Sequence, residues 1–425
     1  MGVFQDSVGG QPRRPEPGDA DARADRLLER LDTLFEIGRL AGTNRAGLGE
    51  GEQQAFELVR GWMVDADLDV ATDPGGNLIG RARGSAPALP EVWSGSHLDT
   101  PPDGGRFDGA LGVLAALDAI EAIAASGGAK RTLAVIAFRL EEGCRFGRGV
   151  FGSRAVCGML DGDEADLRDA DGISLGEAFG ALGLGRLPER GWLDPAPFAY
   201  VETHIEQGPT LAAAGAPLGV VTSIAGMAGF ELVFRGRRGH AGTVPMALRS
   251  DALGAAARFV ERAHEVARSI PGAVATIGRL TVSPGATNTI PNMAELFVDV
   301  RAPDTARLDA LSERVVAAAH AAAGDLGCEV EVAERWRYDA VPMSERPAAA
   351  LRNGIAELGL EPVELPSGAG HDAAIMAMAG VPSAMLFVRS DAGGVSHAPE
   401  ESTGRDAIAA CVRTLEPALR ELAEA

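Results

Sequence analysis

Several absences narrow what this 425-residue chain can be. Its four cysteines, Cys144, Cys157, Cys328 and Cys411, are scattered, and such spacing makes neither a disulfide framework nor a Cys-x-x-Cys metal site. Reduced thiols are expected. No run of about 18 uncharged apolar residues is present, so no segment is built to cross a bilayer as a helix. Basic residues are outnumbered by acids, 39 to 60, for a formal charge of −21. That balance argues against nucleic acid and against an anionic membrane surface as partner, because both need a basic face to displace counterions. The polar stretch 1–22, with Pro15 and Pro17, reads as a disordered tail and not a targeting segment, which makes a cytoplasmic protein the expectation. Histidine is scarce and therefore informative. Of seven, His97, His204, His240, His371 and His397 lie beside glycines or acids in loop-like contexts, whereas His264 and His320 fall in helical patterns and read as structural.

A chain of this length exceeds one ordinary core, so two domains are expected. Asp21 to Leu40 carries apolar residues at i, i+3 and i+4 spacing, the stripe of a surface helix. A second helix over 50–65 and strands near 68–71 and 77–83 follow. Val92 and Trp93 open a central strand that ends near His97, and 110–123 suits a helix. Thr132 to Phe138 is a continuous apolar run, as a strand buried on both faces shows. Strand, helix and strand at this spacing imply a parallel pair. From 218 to 329 the order strand, strand, helix, strand, strand, helix reads as an inserted two-layer α+β domain. The expected architecture is α/β: a catalytic domain over 23–217 and 330–425, with a mixed, mainly parallel sheet flanked by helices, plus the insertion over 218–329.

The chemistry gathers at the ends of the expected strands, where open α/β sheets bind ligands. Gly95-Ser96-His97-Leu98-Asp99-Thr100 leads to Gly104-Gly105-Arg106-Phe107-Asp108-Gly109. Glu141 and Glu142 follow the apolar run; in extended chain they would point to opposite sides, so that one could hold an ion while the other faced a different wall. His204 and His397 stand at further strand ends or glycine-bearing loops. A His-x-Asp pair can equally be a core histidine, and a Glu-Glu pair a solvated surface. Read together, His97, Asp108, Glu142, His204 and His397 are five imidazole and carboxylate donors without thiolate, a set suited to Zn²⁺, Mn²⁺, Co²⁺ or Ni²⁺. Five donors are one short of two three-ligand sites. A carboxylate can bridge two ions, which makes Asp108 the expected bridge.

These motifs, with His204-Ile205-Glu206-Gln207-Gly208-Pro209, Gly239-His240-Ala241-Gly242, Gly370-His371-Asp372 and Ser396-His397-Ala398-Pro399-Glu400-Glu401, resemble in order the signature set of the hydantoinase/carbamoylase amidases. The resemblance runs from about residue 25 onward. It implies two divalent ions, zinc first among the alternatives, with His97, Asp108 and His204 on one and Asp108, Glu142 and His397 on the other. It further implies that Glu141 is the general base and that Asp99 orients His97. His240 would reach the site of a neighbouring copy in a homodimer formed through the inserted lid and dimerisation domain. Gln207, Asn288, Arg301 and His371 would contact substrate. The expected reaction is hydrolysis of the carbamoyl C–N bond of an N-carbamoyl-L-amino acid. Allantoate amidohydrolase and β-ureidopropionase activities are alternatives within the group, and a non-catalytic metal-bound module is the alternative outside it. Cys144 and Pro102-Asp103 depart from the group's usual residues and bear on substrate fit.

Overall fold

The computed structural model describes residues 19–39 and 44–425. Most of the expected tail lies outside them, but Ala20–Ala22, assigned to that tail, are already helical. The first helix also stops short of Leu40: α1 spans Ala20–Phe35, and beyond it the Ile37 N–H turns back onto Leu34 O. The chain divides into two compact units, one comprising Met1–Val220, Glu345–Val363 and Val381–Ala425, the other Val221–Ser344 and Glu364–Gly380.

In chain order the first part contains α1, α2 (Glu50–Asp65), β1 (Asp69–Thr72), β2 (Leu78–Ala82), β3 (Val92–His97), α3 (Ala110–Ala125), β4 (Leu133–Phe138), α4 (Phe151–Cys157), α5 (Leu175–Ala181), β5 (Ala199–Ile205), α6 (Thr210–Ala214) and β6 (Leu218–Ile224). Then come β7 (Gly226–Arg235), β8 (Gly239–His240), α7 (Ala252–Arg268), β9 (Val274–Ser283), β10 (Thr289–Ile290), β11 (Met293–Ala302), α8 (Thr305–Gly324), β12 (Glu329–Tyr338) and β13 (Val341–Pro342). The chain closes with α9 (Glu345–Glu357), β14 (Val363–Ser367), α10 (Asp372–Met378), β15 (Ser383–Val388) and α11 (Arg405–Glu424).

The first unit is built on a sheet ordered β1-β2-β4-β3-β5-β15-β6. Its centre, β4-β3-β5-β15, is parallel throughout, while β2 and β6 join it antiparallel. Every residue of β3, β4, β5 and β15 is buried. That follows from helices covering a parallel sheet, and it is why β4 and β15 are near-continuous apolar runs instead of alternating ones. α3 connects β3 to β4, as the spacing suggested, and is buried on all sides from Ala110 to Ile123. A helix apolar all round belongs in an interior; here β3 and β5 lie against it, with α1 and α11 also packed on it. Its two acids are paired, Asp118 with Arg23 at 2.8 Å and Arg26 at 3.0 Å, and Glu121 with Arg26 at 2.9 Å, which offsets the cost of burying charge.

The second unit is a four-stranded antiparallel sheet, β12-β7-β11-β9. β11 alternates buried and half-buried residues along its whole length, the two-residue period of a strand with one face on a core. That core is filled by Ala255, Phe259 and Ala263 of α7 and Leu311, Val315 and Ala319 of α8. β12 starts at Glu329, runs on to Tyr338 and pairs with β7 in this sheet. None of the helices among the described residues is long and apolar enough to cross a membrane.

Candidate metal centre

Two parallel strands and the loop before α3 deliver the first donors. β3 ends in His97, β5 places His204 one residue before its end, and α3 is preceded by Asp108. Gly109, between Asp108 and the helix, has φ +64°, and a Cβ there would fall 2.3 Å from the His97 ring. Only glycine lets the helix start this close to the imidazole. All three donors are almost fully buried, and Asp108 Oδ1 lies 3.0 Å from His204 Nε2 and 3.6 Å from His97 Nε2.

The other oxygen of Asp108 faces a second group. Oδ2 is 3.3 Å from His397 Nε2, which is itself 3.5 Å from Glu142 Oε2. Donor atoms of His97, Asp108 and His204, and separately of Asp108, Glu142 and His397, all lie within 4.8 Å of one another. Ions bound at about 2.0–2.2 Å space tetrahedral donors by about 3.3–3.6 Å, close to these separations. The donors are imidazole nitrogens and carboxylate oxygens alone, and Glu142 Oε1 is buried with no hydrogen-bond partner among the described residues. Leaving such an atom unpaired costs about 1–3 kcal/mol. A hard or borderline divalent cation fits this donor set.

The two glutamates do not occupy extended chain, which corrects the expectation that they face different walls. β4 ends at Phe138, and Leu140 has φ +50°. The turn is held from two sides. Glu52 of α2 accepts from the Leu140 N–H at 3.0 Å and from Arg139 at 2.7 Å, while Asp99 accepts from the N–H groups of Glu141 at 2.9 Å and Glu142 at 3.1 Å. Both acids therefore turn to one centre, with donor atoms of His97, Glu141 and Glu142 clustered and Glu141 Oε2 3.8 Å from His97 Nε2. Asp99 also flanks His97, its carboxylate 3.5 Å and its main-chain carbonyl 3.2 Å from Nδ1.

The electrostatics reflect acids crowded in a largely buried cluster. Burial, then the Asp108 charge, pushes the Glu142 carboxyl up to about 8. His397 is pushed up to about 9, chiefly by its hydrogen bond to Asp108. Burial opposes protonation of His97, yet Glu141, Asp99 and Asp108 outweigh it and hold the imidazole well above its usual range. Burial likewise opposes ionisation of Asp108, but His204, His397 and His97 hold it well below the carboxylate range.

The remaining expected residues fall in three places. Gln207, with φ +57°, lies in the metal cluster, its side-chain amide donating to Asp108 Oδ2 at 2.9 Å. His240 and Asn288 adjoin each other in the second unit: His240 pairs with Thr289, and the Ala241 N–H donates to Asn288 O at 3.0 Å. Arg301 and His371, also in that unit, meet at one turn, where Arg301 donates to Gly368 O at 2.8 Å and Ser367 Oγ lies 2.8 Å from His371 Nε2. The Arg301 guanidinium is oriented by Asp299 at 2.9 and 3.1 Å.

Sequence reasoning passed over Glu52, Arg45 and Glu401. Arg45 is fully buried and donates to Leu98 O at 2.6 Å and Leu34 O at 2.9 Å. Burial pulls its guanidinium down to about 10 against the upward pull of Asp99, Asp108, Glu401 and Glu142, so it is a fixed cation beside an acidic centre. A lone arginine in a loop carries no sequence signal for that. Glu401 sat within a quoted motif and could have been found there.

A parallel α/β sheet with imidazoles and carboxylates converging at its strand ends is the architecture of a metallohydrolase, and comparison with known proteins gives the class. Residues 93–421 match the model of peptidase family M20/M25/M40, and the chain belongs to that family. It is similar to an N-carbamoyl-L-amino acid amidohydrolase of Geobacillus stearothermophilus, 38% identical over 407 residues covering 95% of this chain and 99% of that protein. An allantoate amidohydrolase of Bacillus subtilis is 35% identical over 93% of this chain and 97% of its own length. A crystal structure of a hydantoinase/carbamoylase family amidase from Burkholderia multivorans superposes with a TM-score of 0.88 at 31% identity, covering 94% of this chain and 98% of that one. Within its family this protein is a metal-dependent amidohydrolase.

Proposed function

We propose that this protein hydrolyses the carbamoyl C–N bond of an N-carbamoyl-L-amino acid, releasing the free amino acid, CO₂ and ammonia. The observation carrying the reading is the division of Asp108, one oxygen toward His204 and His97 and the other toward His397. His97, Asp108 and His204 would hold one divalent ion and Asp108, Glu142 and His397 a second. Zinc is the first choice, manganese, cobalt and nickel the others. When bound, such ions supply Lewis acidity to the ureido carbonyl and lower the pKa of water.

The chain's own residues do the rest. Glu141 takes the proton from the attacking water and returns it to the departing amine nitrogen, a carboxylate's usual part in acid–base catalysis. Asp99 holds Glu141 and Glu142 in place through their N–H groups. Arg301, with Asn288, Gln207 and His371, contacts the substrate; a guanidinium grips a carboxylate through two parallel hydrogen bonds. The carbamate released beside the amino acid breaks into CO₂ and ammonia. His240 donates to the oxyanion in the site of a second copy, so the working protein is a homodimer formed through the inserted segment that carries His240.

Ammonia release is measured from N-carbamoyl-L-amino acids, allantoate and 3-ureidopropionate after reconstitution with Zn²⁺, Mn²⁺, Co²⁺ or Ni²⁺. Highest kcat/KM on an N-carbamoyl-L-amino acid supports the reading. Preference for allantoate, the activity for which several relatives are named, would replace the substrate and keep the chemistry. Mixing the inactive variants Glu141→Gln and His240→Ala tests the shared site: mixed dimers recover activity if His240 serves the other copy.

A further inference from the structure

We infer that Glu401 is a positioning residue that ties the loop carrying Asp108 to the loop carrying His397, and so sets the spacing of the donors to the second ion. This rests on the two-ion reading above. His97 and His204 are held by burial, with side chains 2% and 1% exposed, but the His397 side chain is 51% exposed. Packing therefore does not fix it, and its position depends on what anchors its loop. Glu401, buried to 4% exposure, is that anchor. Its Oε1 accepts from the Phe107 N–H at 2.7 Å and the Asp108 N–H at 3.0 Å, and its Oε2 accepts from Ser396 Oγ at 2.9 Å. One carboxylate thus grips the main chain of the bridging residue and the side chain next to His397. Charge-assisted bonds of this kind are among the stronger ones.

Gly105 is a second, independent observation. A Cβ there would sit 2.2 Å from Glu401 Cδ and 2.3 and 2.5 Å from its two oxygens. Gly105 is absent from the glycines with positive φ, so its backbone would tolerate a side chain. What excludes one is the Glu401 carboxylate. The chain keeps a gap at 105 that this acid fills.

The test is calorimetric titration of metal-free protein with Zn²⁺, independent of turnover. Wild type should take up two ions per chain. Glu401→Ala should bind the first within about threefold of wild type and the second at least tenfold more weakly, the scale on which residues supporting metal ligands act. Glu401→Gln, which keeps an acceptor oxygen for both N–H groups and an amide toward Ser396, should retain two-ion binding. Gly105→Ala should reproduce the Glu401→Ala defect by displacing the carboxylate, and the double variant should be no worse than either single one. Wild-type affinity for both ions in Glu401→Ala, equal weakening of both, a Gln variant as poor as Ala, or additive losses in the double variant would each overturn the inference. Fewer than two ions in wild type would instead sink the two-ion reading.

Discussion

The Asp99 carboxylate accepts the main-chain N–H of Glu141 at 2.9 Å while its second oxygen takes that of Glu142. An aspartate expected to orient His97, which it flanks at 3.5 Å, also holds the turn that carries Glu141 and Glu142, and with shorter bonds. Asp99→Asn should leave one N–H facing an amide NH₂ and shift both acids. The expected result is a 10- to 100-fold fall in kcat/KM or metal affinity, about what loss of a supporting residue costs, read by steady-state kinetics alongside metal analysis.

Glu141 lies beside His97 without belonging to either three-donor group around Asp108. Glu141→Gln keeps its size and removes its basicity, so kcat should drop by about 10²–10⁴ with metal content unchanged. Retention of more than a tenth of wild-type turnover would show that another group moves the proton.

Asp108 and His397 should separate in their effect on metal. Asp108→Ala removes the carboxylate common to both groups and should abolish stoichiometric binding, whereas His397→Ala should leave one ion bound. Elemental analysis after dialysis distinguishes the two patterns; equal losses would contradict a bridging role.

Metal uptake should release protons. In the metal-free protein Glu142 titrates at about 8 and His397 at about 9, so at pH 7 both are protonated, and a cation must displace those protons to bind. Affinity should therefore rise with pH between about 7 and 9 and level off above. Calorimetry at pH 7 in buffers of different ionisation enthalpy should show more than one proton released; heats independent of the buffer would contradict it.

The support beneath the glutamate turn should be costly to break. Arg139 and Glu52 are 2% and 0% exposed and lie 2.7 Å apart. Arg139→Ala strands a buried carboxylate, at an expected cost of about 3–5 kcal/mol, seen as a lower denaturant midpoint. A change below about 1 kcal/mol, the scale of an exposed pair, would mean that the bonds Glu52 accepts from the Leu140 N–H and, at 2.9 Å, the Leu48 N–H suffice.

What the sequence determined by itself was local and periodic. The apolar start of β3 at Val92 and Trp93, the apolar run of β4, the all-round apolar α3 between them and the alternation in β11 are one-dimensional patterns, set by which faces must leave water. The donor residues were legible too, because imidazoles and carboxylates beside glycines at strand ends are uncommon. Tertiary structure decided the rest. That Glu141 and Glu142 face one centre depends on a left-handed Leu140 bonded by Glu52, 88 residues away, and on Asp99, which bonds Glu141 across 42 residues. That Glu401 can span two loops depends on a missing Cβ at Gly105. Such contacts join residues whose separation along the chain carries no period, so only the folded chain brings them to within a hydrogen bond.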